Sequence, residues 1–207
     1  LGFDQTQETN EVLDKAEQKI FDISQEKPTK GLTQAAEILT STFNEIEARS
    51  LGKEEVGVKT LFYDFDALTQ GLQRSDLIIV AGRPSMGKTS IVLNMARNVA
   101  HSQDLPVCLF SLEMSKEQLT YRLLSLEVGI ESGRLKTGRL TPEQWPLLGE
   151  GIDSLSQTPI FIDDKPNLSV LEMRALCRRL IAEQKKELGL IVIDYLQLME
   201  GTTPDNR

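Results

Sequence analysis

Glycine at 82, glycine at 87, lysine at 88 and threonine at 89 stand in the order G-x-x-x-x-G-K-T, a spacing at which a chain can wrap its own backbone around an anion. Gly82 and Gly87 let backbone N–H groups turn inward with no side chain in the way. Between them lie Arg83, Pro84, Ser85 and Met86, and Ser90 follows the threonine. A helix beginning here adds free N–H groups and a dipole that favour negative charge. The Lys88 ammonium suits β- and γ-phosphates, and the Thr89 hydroxyl is a hard oxygen suited to Mg²⁺. The chemistry these residues could do is to bind and hydrolyse a nucleoside triphosphate, ATP.

Two carboxylates complete the set. Asp194 closes the apolar run Leu190–Ile193, where a second metal-site acid is required opposite the phosphate loop. Glu113 lies just past another apolar run, where an acid could orient and deprotonate an attacking water. Lys88, Glu113 and Asp194 are therefore the expected catalytic groups, with Thr89 and Asp194 at the metal.

The elements that must position them follow from periodicity. Leu77–Ala81, Pro106–Phe110, Ile160–Ile162 and Leu190–Ile193 are short continuous apolar runs, as expected of strands buried on both faces. Helices alternate with them. One runs through Ile91, Val92, Met95 and Val99. Ser115 with Gln118 and Ser169 with Glu172 spell capping boxes for two more, and Thr141, Pro142 and Gln144 start another. The order predicts an α/β domain, a central parallel sheet flanked by helices. Ahead of it, Leu13, Ala16, Ile20 and Ile23 mark one amphipathic helix over 11–24. Leu32, Leu39, Phe43 and Ile46 mark a second, ending near Arg49. Residues 50–55 read as a linker, so the expected organisation is a helical segment over 1–53 and the ATPase domain over 54–207.

Composition narrows the class. A net charge of −8 argues against gripping nucleic acid with the whole surface, though a local basic strip stays open. Aromatics at 5% disfavour a module that stacks bases on rings. Arg134/Lys136/Arg139, Arg174/Arg178/Arg179 and Lys185/Lys186 read mainly as solvated helix faces, with a DNA-facing or inter-subunit role as the alternative. Cys108 and Cys177 sit in apolar patterns and are expected as reduced core residues. His101 and Trp145 read as cap and packing residues. No apolar run approaches the ~20 residues of a membrane span, and a cytoplasmic protein is expected. The chain reads as a piece of a longer one.

Five blocks in register go further: Ile79–Thr89, Phe110–Ser115, Arg134–Gly138, Pro159–Asp164 and Ile191–Met199. Together they resemble the bacterial replicative DNA helicases of the DnaB type, which are hexameric RecA-like rings. The resemblance implies ATP and Mg²⁺ at Lys88 and Thr89, catalysis by Glu113, and a second metal carboxylate at Asp194. It also implies single-stranded or forked DNA as partner, primase and a helicase loader as further partners, and a linker helix over 11–24 that docks on a neighbouring subunit. Leu61 and Arg74 depart from the family, which has glycine and proline there. The DNA-binding loops, the phosphate-sensing glutamine and the arginine finger of the family have no counterpart in these residues, so the C-terminal part of the ATPase domain is expected to be incomplete and these residues alone to be a weak or inactive ATPase and no helicase. A RecA-like recombination or other ring ATPase, and a nucleotide-binding assembly module without turnover, remain as alternatives.

Overall fold

The computed structural model describes residues 34–52, 57–83 and 85–195. The chain divides into two units, Leu1–Glu54 and Glu55–Arg207. The described part of the first is helix α1, Ala35–Ser50. Leu39, Phe43 and Ile46 recur at helical spacing, which puts them on one stripe. They are 64%, 65% and 58% exposed, and no residue of α1 is buried. The expected helix over 11–24 lies outside the described residues.

The second unit opens with a small device that sequence periodicity does not reveal. Val58 and Leu72 form an antiparallel bridge around helix α2, Tyr63–Thr69. Inside it the Asp66 carboxylate accepts from the Thr60 N–H at 3.0 Å, the Thr60 hydroxyl at 2.7 Å and the Leu61 N–H at 2.8 Å. Burial works against the Asp66 charge, but the bonds from Thr60 and Leu61 outweigh it and hold the carboxyl below its ordinary value. This grip fixes Leu61 at φ +61°, in the left-handed region. A leucine there carries a steric cost of about 1–2 kcal/mol that glycine escapes. Glycine returns part of that gain as unfolded-state entropy, roughly 0.5–1 kcal/mol. Leu61→Gly is therefore expected to raise the thermal midpoint by a few degrees, about 2–4 °C per kcal/mol for a chain of this size. A lowered midpoint in calorimetry would refute the strain.

The sheet follows. Strands β1 (Val107–Ser111), β2 (Ile160–Asp163) and β3 (Leu190–Asp194) lie in the order β2-β1-β3, all parallel. Register pairs Phe110 with Asp163 and Ser111 with Asp194, so the acidic residues that close β2 and β3 reach the same carboxyl edge as the end of β1. Alternation along β1 sends side chains to opposite faces. Val107 and Leu109 join Leu93, Ala96, Val99 and Ala100 of helix α3 (Lys88–Gln103), with Leu119 and Leu123 of helix α4 (Lys116–Val128). Cys108 and Phe110 meet Met173, Cys177 and Leu180 of helix α7 (Val170–Gln184) on the other face. Helices thus cover both sides of the parallel sheet, as the alternating pattern predicts.

Helix α5 (Ser132–Thr137) and helix α6 (Gln144–Gln157) lie between α4 and β2 in the chain. A Cβ on the buried Gly151 of α6 would fall 2.1 Å from the Val128 side chain. Glycine is what lets α6 approach α4 there. Glu127 fastens the same region, accepting from Arg97 at 2.7 Å and from the Ser154 hydroxyl at 2.6 Å. Both expected capping boxes form, at Ser115 with Gln118 and at Ser169 with Glu172. Helix α6 starts at Gln144, two residues later than Pro142 suggested, because the Thr141 carbonyl and the Gln144 N–H close a turn first. Cys108 and Cys177 are buried free thiols, 3.9 Å apart.

One expectation fails. The run Leu77–Ala81 is not a strand: its residues are exposed, Leu77 at 86% and Ile79 at 74%. A strand is stabilised by a ladder partner, and in the order β2-β1-β3 the run joins neither outer edge, at β2 or at β3. Among the described residues none pairs with this run. Its apolar character says what it is suited to bury, and periodicity alone could not say which neighbours these residues supply.

Candidate nucleotide site

Gly87 is the residue before helix α3 and holds φ +84°, a left-handed conformation that glycine adopts without cost. No side chain caps α3, so its first N–H groups are left for a ligand. Ser85 also stands at positive φ, +63°. A Cβ on Gly82 would lie 3.3 Å from the Lys88 side-chain Cγ. The glycine keeps that approach open. Ala81, Gly82, Arg83, Ser85, Met86, Gly87 and Ser90 are exposed, while Lys88 and Thr89 are half-buried. Pro84 lies outside the described residues.

The first turn of α3 meets the end of β3. The Thr89 hydroxyl donates to the Asp194 carboxylate at 2.8 Å, across 105 residues of sequence. Two hard oxygens are thereby held side by side, a donor set that suits Mg²⁺, which takes one or two protein oxygens and completes its shell with water and phosphate. Among the described residues no group of three or more His, Cys, Asp or Glu gathers to hold a metal. This pair is the arrangement that fits.

Glu113 lies in the turn between β1 and α4, one residue beyond Leu112, whose N–H donates to the Asp194 backbone carbonyl at 2.7 Å. The turn that carries Glu113 is therefore bonded directly to the residue facing Thr89. The Glu113 side chain is exposed and makes no hydrogen bond or ion pair among the described residues.

Two polar residues that sequence reading left without a role act on the same turn. The Ser111 hydroxyl, 2% exposed, donates to the Met114 carbonyl at 2.6 Å and accepts the Met114 N–H at 3.1 Å. Asp164, just past β2, accepts the Lys116 N–H at 3.0 Å at the start of α4. A buried hydroxyl closing an apolar strand was the available signal for Ser111. Nothing in the spacing points to Asp164.

The basic clusters lie at the surface. Arg134, Lys136, Arg139, Arg174, Arg178, Arg179, Lys185 and Lys186 are all exposed. Arg179 pairs with Glu183 at 3.5 Å and Lys186 pairs with Asp104. His101 is exposed in the last turn of α3, and Trp145, at the start of α6, is 57% exposed rather than packed, which corrects its reading as a packing residue. Arg74, in place of the family's proline, pairs with Glu187.

A parallel sheet covered on both faces, with a phosphate loop opening the helix that meets the end of a strand, defines a RecA-like P-loop ATPase core. Comparison with known proteins gives the family. The model for the DnaB-like helicase C-terminal domain matches residues 57–207. Replicative DNA helicase DnaB of Nostoc sp. (strain PCC 7120) is 58% identical over 207 residues, all of this chain and 23% of that protein. The DnaB of Geobacillus stearothermophilus is 46% identical over 97% of this chain and 44% of its own length. Among solved structures, an ATPase domain superposes with a TM-score of 0.75 at 32% identity, covering 85% of this chain and 62% of that one. A DnaB-like replicative helicase, solved in a study of its interactions with primase, gives 0.73 at 30%, covering 94% and 46%. The chain belongs to the DnaB-like helicase family. It spans about a quarter to a half of the length of these DnaB relatives.

Proposed function

We propose that this chain is the nucleotide-hydrolysing part of an ATP-driven replicative DNA helicase. The observation that carries the reading is the 2.8 Å bond between Thr89 and Asp194, which sets the phosphate loop against an acid at the carboxyl edge of the sheet. Backbone N–H groups of residues 85–89 take the phosphate oxygens, and the Lys88 ammonium takes the β- and γ-phosphates. Thr89 and Asp194 would hold Mg²⁺, which when bound neutralises charge on those phosphates. Glu113 accepts a proton from water as the oxygen attacks the γ-phosphorus. The bond to the β,γ-bridging oxygen breaks, leaving ADP and phosphate.

Substrate and partners extend the same reading. The working protein would translocate on single-stranded DNA and part the duplex at a fork, in the cytoplasm and as a homo-hexamer. The organisation into a helical segment over 1–53 and an ATPase domain over 54–207 belongs to this proposal, as do the site roles of Arg83 to Ser90. A subunit contact through the helical segment was expected at 11–24. The exposed Leu39, Phe43 and Ile46 of α1 make the second amphipathic helix a further candidate for that contact. A primase partner is supported by the relative solved in a study of primase interactions, and a helicase loader remains an expectation of family resemblance. Among the described residues no helix is long and apolar enough to cross a membrane.

The test is strand separation on a forked duplex by the full-length protein, with ATP and with a slowly hydrolysed analogue. Separation with ATP alone is expected. ATP turnover on single-stranded DNA without separation would replace the helicase by a recombination-type ATPase.

A further inference from the structure

The Glu113 side chain has no partner among the described residues, so the backbone must place its carboxylate. Four bonds, at three anchoring groups, fix that backbone. The Leu112 N–H donates to the Asp194 carbonyl at 2.7 Å. The Ser111 hydroxyl closes a ring with both backbone groups of Met114, at 2.6 and 3.1 Å. The Asp164 carboxylate takes the Lys116 N–H at 3.0 Å. Residues 112–115 are thus pinned before, within and after the turn, and two of the three pins are side chains.

We propose that Ser111 and Asp164 are positioning residues for the reaction, holding the turn from β1 to α4 so that Glu113 meets the attacking water. The proposal rests on Glu113 being the base. Ser111 is well suited to the task because its hydroxyl is buried and answers a donor and an acceptor of the same residue. Removing it leaves both half-buried Met114 groups without that partner. Asp164 reaches the turn from β2, so the three strand ends converge on one short segment. A displacement of about 1 Å at a reacting group can cost about 100-fold in rate, and neither residue has to touch substrate to have that effect.

The experiment measures DNA-stimulated ATP turnover by the full-length protein. Ser111→Ala and Asp164→Ala are each expected to lower kcat by about 10- to 100-fold, with KM for ATP and affinity for a fluorescent ATP analogue within about threefold of the parent. Asp164→Asn keeps an acceptor oxygen for the Lys116 N–H and should restore kcat to within about threefold. In a Glu113→Gln background neither alanine should lower the residual rate further, because groups that act as one unit are not additive. Retained analogue binding and an unchanged thermal midpoint for Asp164→Ala, which lies in a partly exposed loop, exclude simple unfolding as the cause. Parental kcat in both alanine variants, with Glu113→Gln inactive, overturns the positioning role alone. So does a further loss in the Glu113→Gln background. An active Glu113→Gln overturns the base assignment and the positioning role with it.

Discussion

Glu113→Gln in the full-length protein is expected to abolish ATP turnover while sparing ATP binding. Glutamine matches glutamate in shape and can still accept a hydrogen bond, but it cannot take a proton from water. General-base catalysis by a positioned side chain contributes about 10²- to 10⁴-fold, so turnover should fall into that range or beyond detection. Binding should persist, because the phosphates are taken by the backbone of the 82–89 loop and by Lys88, and Glu113 makes no hydrogen bond or ion pair with the described residues of that loop. Stability should also persist. Glu113 is exposed and unpaired among the described residues, and substitutions at such places lie within about 0.5 kcal/mol of the parent. Steady-state phosphate release, with a fluorescent ATP analogue reporting affinity, separates the two quantities. Unchanged turnover would assign the proton acceptor to another residue.

Lys88→Ala should do the opposite and strike binding first. The ammonium sits in the first turn of α3, with its stem against the space that Gly82 leaves open. A hydrogen bond to a charged group is worth about 1.5–3 kcal/mol. Loss of one such contact weakens ATP by roughly 10- to 150-fold, since each 1.4 kcal/mol is tenfold. Turnover falls with it, because the same charge faces the γ-phosphate as the bond breaks. The helix should survive, alanine being the best helix former. An affinity equal to the parent's would mean that the loop does not hold the triphosphate.

The chemistry was more legible than the scaffold. The glycine spacing, the lysine and the threonine specify a cradle because each residue type answers a fixed demand of phosphate geometry, and the family comparison agrees with the class so inferred. Strands β1, β2 and β3 were legible from bare apolar runs, and both capping boxes from their serine and acid or amide pairs. The run Leu77–Ala81 carries the same signature and lies outside the sheet, because hydrophobicity records a tendency to be buried and not the identity of a ladder partner.

Apart from the Thr89–Asp194 pair, which the motif had brought to one site, tertiary hydrogen bonds were not legible. Asp66 organises Thr60 and Leu61 from within a helix too short for periodicity to detect, and Asp164 reaches Lys116 across 48 residues. Leu61 is the instructive middle case. Its departure from the family's glycine was visible in sequence, and the positive φ that makes the departure costly needed coordinates.

The central claim is that Thr89 and Asp194 stand together to serve a metal beside the triphosphate, and its most direct measurement is crystallographic. Crystals of this chain grown with Mn²⁺ and a slowly hydrolysed ATP analogue, recorded at the manganese edge, should show one anomalous peak at the carboxyl edge of β3. That peak should touch the Thr89 hydroxyl and lie next to Asp194, directly or through one water, with phosphate density inside residues 82–89. Phosphate density elsewhere, or a metal peak remote from that pair, would contradict the account.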